Sequence, residues 1–230
     1  MLYCLHYLVF RDAHSIFFYL LNDLAFVPIE VLLVTLIVHR VLNNREKRIL
    51  LNKMNMVIGT FFSEVGTDLL KFLCLYHLES YDRKELLRFD PSWTDREFHT
   101  AQEKLRAFHP RIAIGKRHVQ SLRDFLKSKR TFLLMLLENP NLLEHDSFTN
   151  LLWSVFHAAD ELISRRNLQN LSAEDMKHVT GDVQRVYSLL LVEWLSYMQH
   201  LKKHYPYLYA FAARNNPFRL CKSIGSRGKA

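Results

Sequence analysis

His157 stands four residues before Glu161, and His145 is followed directly by Asp146. An i, i+4 pair shares one face of a helix, so His157 and Glu161 could offer an imidazole nitrogen and a carboxylate oxygen to one metal ion. His200 and His204 repeat that spacing, and Asp175 precedes His178 by three. A zinc or di-iron centre needs three or more converging ligands, which no single pair supplies. There is no HExxH, and no Glu-x-x-His on each of two helices; Glu193 and His200 are seven apart. Surface or capping roles are expected for these histidines, and no resident metal or other cofactor is expected.

Nucleophilic chemistry finds less. Ser63, in FFSEVG, does not sit in the strand–turn–helix setting of a G-x-S-x-G elbow. Cys4, Cys74 and Cys221 are odd in number and far apart, with no CxxC, which reads as three free thiols in a reducing compartment. Trp153, Trp194 and the YPYLY aromatics are expected to pack a core. The dipeptide His145-Asp146 is similar to the metal-binding pair of phosphohydrolases of the all-helical HD type. That resemblance implies the alternative function, a membrane-anchored metal-dependent hydrolase with His145, Asp146, His157 and Glu161 as ligands. The leading expectation is a non-enzymatic protein.

The charge is concentrated. The chain carries a formal +8, and residues 104–130 alone hold nine Lys or Arg against Asp124, the same surplus. Lys116, Gln120, Arg123, Lys127 and Arg130 fall on one helical stripe beside an apolar one of Val119, Leu122, Leu126 and Leu133. A solvated face is one reading. In a membrane-bound protein the functional one is contact of Lys116, Arg123, Lys127 and Arg130 with anionic headgroups of the inner leaflet. With no glycine-rich phosphate loop and no nucleic-acid motif, nucleic acid is not expected as a partner.

The elements that must position these residues begin with an apolar run. Ile16 to Val38 is 23 residues with only Asn22, Asp23 and Glu30 strongly polar. As a helix it would span about 35 Å, enough for a hydrocarbon core of about 30 Å. Residues 1–15 hold only Arg11, whereas residues 39–53 hold Arg40, Arg45, Lys47, Arg48 and Lys53. That bias puts the N-terminus outside and the remainder in the cytoplasm, in the cytoplasmic membrane. No small-x-small site follows the run, so an uncleaved anchor is expected. Asp23 and Glu30 are seven apart and share a face, and Pro28 can free a backbone carbonyl near Glu30. A carboxylate facing lipid is costly, so this face should be protonated, paired or turned to protein. It is the candidate seam for self-association or for docking on a membrane-protein partner.

Beyond the anchor the pattern stays helical. An amphipathic stripe runs from Leu50 to Gly66, continuous with the anchor or restarting near Asn43-Asn44, and a short helix runs from Thr67 to about Glu79. Ser92 or Thr94 can cap a helix to about Phe108; others cover 116–138 and 147–167. Ser172 signals one to about His204, and Pro206 restarts a last one before Asn215. With scarce glycine and proline and no alternating strand pattern, the expected class is all-α: one transmembrane helix, then a cytoplasmic helical bundle. The division is 1–15 as an extracytoplasmic or interfacial N-terminus, 16–42 as anchor, 43–218 as the helical domain and 219–230 as a basic disordered tail.

Three stretches carry a further resemblance: LLNDLAFVPIEVLLVTLIVHRVL with NREKR after it, MNMVIGTFFSEVGTDLL, and YPYLYAFAARNNPF. Together they resemble an uncharacterised prokaryotic family of single-pass membrane proteins with a helical cytoplasmic domain. The resemblance implies an anchored helical protein and brings no activity with it.

Overall fold

The computed structural model describes residues 7–9, 11–77, 92–140, 142, 145–165 and 167–218, without the side chains of 47–52. The expected punctuation at Asp90-Pro91 and the basic tail from 219 lie outside these residues, while the short helix expected from Thr67 to about Glu79 ends earlier, at Cys74, ahead of a turn and the His77 bridge. The chain is all-α, with one long apolar helix followed by a helical bundle. Among the described residues the one β feature is an isolated bridge between His77 and Ile112.

Helix α1 runs from Ala13 to Phe61. Asp12 starts it, its carboxylate accepting from the His14 and Ser15 backbone N–H groups. Pro28 removes one backbone donor without ending the helix, and Asn43-Asn44 does not restart it. Two compact units divide the chain, Met1–Leu51 and Asn52–Ala230, and α1 enters both. In the first unit the segment Ala13–Glu46 is long and apolar enough to cross a membrane, with an 18-residue window of mean hydropathy 2.0, none of it buried. Phe17, Leu24, Val31 and Ile37 are each at least 60% exposed, so this helix buries no face against the protein.

In the second unit, α1 ends on buried Met54, Ile58 and Phe61. It passes into a π-helical turn, Phe62–Gly66, in which the Thr67 N–H donates to the Phe62 carbonyl. Five residues per hydrogen-bonded step instead of four absorb one extra residue. Buried Leu69, Leu70 and Leu73 of α2 (Thr67–Cys74) thereby come to the same side as the end of α1.

Helix α3 (Asp95–Ala107) opens with a capping box: Thr94 Oγ1 accepts from the Glu97 N–H, and the Glu97 carboxylate accepts from the Thr94 N–H. Helix α4 (Lys116–Leu137) buries the expected stripe of Val119, Leu122, Leu126 and Leu133. Helix α5 (Asp146–Ser164) is capped by the His145 ring, and α6 (Ala173–His204) by Ser172, whose Oγ accepts from the Asp175 N–H at 3.0 Å. Helix α7 (Pro206–Arg214) has proline in its first turn.

The core is shared by four helices. A small apolar void of about 10 Å³ is lined by Leu69 and Leu73 of α2, Leu122 and Leu126 of α4, Val155 and Ala158 of α5, and Val183 and Val186 of α6. Phe61 meets Phe148 edge-on at 5.4 Å, so the end of α1 reaches the start of α5.

Two expectations are corrected. Trp194 and Tyr209 are buried, but Trp153 is 56% and Tyr207 93% exposed, because each falls on the outward face of its helix. Cys74, fully buried, is disulfide-bonded and not a free thiol. Cys4 and Cys221 lie outside the described residues.

Two glycines separate packing from propensity. A Cβ on Gly66 would lie 2.6 Å from Phe62 Cδ1 and 2.9 Å from Phe61 Cε1, whereas one on exposed Gly181 would meet nothing within 4 Å. Gly66→Ala should therefore destabilise the bundle by about 1–3 kcal/mol through overpacking. Gly181→Ala should stabilise it by roughly 0.5–1 kcal/mol through helix propensity. Urea unfolding of the detergent-solubilised chain, followed by circular dichroism, measures both.

Candidate functional site

Helices α5 and α6 pack along each other and bring two His–carboxylate pairs face to face. On α5 the pair is His157 and Glu161; on α6 it is His178 and Asp182, again at i, i+4. His178 Nε2 lies 3.5 Å from Glu161 Oε1 and 3.7 Å from Asp182 Oδ2, and His157 Nε2 lies 4.0 Å from Glu161 Oε2. His157, Glu161 and Asp182 each offer a ligand atom within 4.8 Å of the other two. The carboxylates are the inner pair, with side chains 14% and 20% exposed, while both imidazoles reach solvent.

The two carboxyls are shifted in opposite directions. Burial pushes Asp182 up, and its contact with the Glu161 charge adds to this. Burial also opposes a charge on Glu161, but hydrogen bonds from Asp182 and Arg165, with the nearby His178, hold it below the usual carboxylate range. Arg165 grips Glu161 Oε1 and Asp175 Oδ1 at 2.7 Å each, strapping the end of α5 to the start of α6. Beside the cluster is a cleft of about 520 Å³ whose walls include Trp153, His157, Asp182 and Arg185.

The other residues expected to carry function are placed apart from this cluster. His145 and Asp146 stand at the opposite end of α5, about 18 Å from His157 along the helix, so the four proposed hydrolase ligands do not converge. His145 Nδ1 accepts from the Phe148 N–H at 3.3 Å as the helix cap. Asp146 occupies the first turn, where a negative charge suits the helix dipole. Nearby Glu193 is 3% exposed, and burial raises its pKa despite a hydrogen bond with Ser147 and the charges of His145 and Arg106.

Three cations of the basic stripe on α4 have partners in the protein. The Lys116 ammonium donates to the Gln169 and Leu171 carbonyls, Arg123 lies 3.6 Å from Asp124, and Arg130 pairs with Asp160 at 3.1 Å while lying over the Phe156 ring. Lys127 is exposed. In the first unit, Asp23 and Glu30 are both exposed on the apolar helix.

Sequence reading found half of the α5–α6 cluster. It paired His178 with Asp175, but Asp175 goes to Arg165 and Asp182 is the partner. The signal was present as a second His–carboxylate pair at i, i+4; what it lacked was the knowledge that α5 and α6 are neighbours.

The chain matches two family models, "MJ1433, N-terminal helical domain" over residues 1–42 and "Uncharacterized protein MJ1433, C-terminal helical domain" over residues 50–214. A relative from Methanocaldococcus jannaschii, named "Uncharacterized protein MJ1433", is 44% identical over 218 residues, covering 95% of this chain and 87% of its own. No solved structure matches.

The Arg165 strap has an acid signature. The guanidinium and the Ser172 hydroxyl hold Asp175 down at about 2, from an ordinary 3.8. A carboxylate with a depressed folded pKa adds stability above its unfolded pKa, and that stability is lost as pH falls through the folded value. The stability difference between the wild-type chain and Asp175→Asn should be full above pH 3.8 and vanish by about pH 2. Denaturant titrations at stepped pH measure it.

Proposed function

The chain belongs to the MJ1433 family, and we propose that it is a single-pass membrane protein whose helical body serves a non-enzymatic, interaction or scaffold role. It self-associates or docks on a membrane-protein partner through the Asp23–Glu30 face of α1. The observation that carries this reading is the bare apolar surface of Ala13–Glu46, none of whose most apolar window is covered by the protein. An apolar surface of that extent needs lipid or another protein around it. Inside lipid, Glu30 would cost about 2–4 kcal/mol at mid-membrane if ionised and unpaired, a cost removed by turning its face to a second helix.

The topology proposed is N-terminus outside and bundle in the cytoplasm, supported by the Lys and Arg bias around α1. The disulfide at Cys74 weighs on the other side, since most cytosols keep thiols reduced. Contact with anionic inner-leaflet lipids would fall to Lys116, Arg123, Lys127 and Arg130, of which Lys116 and Arg130 also bond to the α5–α6 link and to Asp160. A metal-dependent hydrolase built on His145, Asp146, His157 and Glu161 is the weaker reading, as two of the four lie at the far end of α5.

Crosslinking in native membranes tests the association face. The wild-type chain should give a discrete crosslinked species that Asp23→Ala with Glu30→Ala reduces several-fold; an unchanged yield would remove this face from the reading. Protease added to sealed vesicles with the cytoplasmic side outward should digest the bundle. Protection there, with digestion from the other side, would reverse the topology.

A further inference from the structure

We propose that the α5–α6 cluster is a binding site for one divalent transition-metal ion, held by His157, Glu161 and Asp182 with His178 as the fourth ligand. Four donors in a tetrahedron with bonds of about 2.0–2.1 Å lie roughly 3.3–3.4 Å apart. His157 Nε2 lies 4.0 Å from Glu161 Oε2 and His178 Nε2 lies 3.7 Å from Asp182 Oδ2, and the donors of His157, Glu161 and Asp182 all lie within 4.8 Å of one another, so these three stand within about 1.5 Å of that spacing. Both imidazoles are more than 60% exposed, so small rotations of each ring can close the gap.

The donor set points to the ion class. Two imidazole nitrogens and two carboxylate oxygens, without thiolate, suit zinc, manganese, iron, cobalt or nickel; calcium and magnesium prefer all-oxygen shells. Asp182 Oδ2 is shut off from solvent without a hydrogen-bond partner, and it faces His178. An atom so placed is costly unless something positive meets it. The surroundings supply the outer support that metal sites need. Arg165 occupies Glu161 Oε1 and fixes that carboxylate, leaving Oε2 toward His157, while Asp175 balances the guanidinium charge. The cleft past Trp153 and Arg185 reaches two of the ligands and gives an ion a way in from solvent.

The inference is independent of the membrane reading, because it concerns only residues of the bundle. The test uses the full-length chain in mild detergent, stripped with chelator and titrated with zinc by calorimetry, and with cobalt by its visible absorption. The expected result is one saturable zinc per chain and a cobalt spectrum typical of four-coordinate geometry. His157→Ala and Asp182→Asn should each weaken zinc binding by more than about 100-fold, beyond the 10- to 100-fold usual for an outer-shell residue. His157 is exposed, so its replacement should leave the fold intact even if Asp182→Asn does not. His200→Ala with His204→Ala is the control and should change nothing. Absence of saturable zinc binding overturns the proposal, as does binding that survives His157→Ala or disappears in the control.

Discussion

The pairing of α5 with α6 is made at short side chains. Ala158 and Ala159 on one helix and Val179, Val183 and Val186 on the other are all buried. Short residues let helix backbones approach closely, and close-packed interiors do not leave that approach adjustable. The polar groups bordering this seam inherit its geometry: Glu161 and Asp182 are brought together, His157 and His178 flank them, and Arg165 closes the seam at its end. The core void, walled by α2 and α4 as well, shows that the seam is supported from behind by the rest of the bundle.

Most of the helices could be read from the sequence because their ends are written locally. Thr94 with Glu97, Ser172 with Asp175, and Pro206 each mark a terminus through groups within three residues, and the structure uses all of them. Apolar periodicity likewise picked out Val183, Val186, Leu190, Trp194 and Met198, every one buried. What failed depends on tertiary neighbours. Whether an aromatic points inward is decided by which face of its helix is covered, and Trp153 stands one position past Leu152 on the open side. The disulfide state of Cys74 is a matter of chain proximity, which spacing does not reveal. The same holds for His178, whose partner four residues on matters only because α5 lies opposite.

The cations of α4 also take part in the fold. A stripe of cations spaced for one helix face looks like a surface waiting for phosphates, but long side chains reach sideways. Lys116 finishes two backbone carbonyls in the link between α5 and α6, and Arg130 crosses to Asp160. Such cations serve the fold first. By contrast, the exposure of Ala13–Glu46 has no internal explanation, since none of its most apolar window is covered within the chain.

The π turn at Phe62–Gly66 has a consequence for the length of the chain itself. An α-helix advances its side chains by about 100° per residue, so a straight helix from Met54 to Leu73 would carry its second half away from the core. One extra residue in the turn cancels that drift and keeps Met54, Ile58 and Phe61 in phase with Leu69 and Leu73. Losing a single residue there would leave a regular helix, yet it would swing one of the two stripes into water. Residue number in this segment is thus under tighter constraint than residue type, and a gap of one would be harder to accommodate than most substitutions.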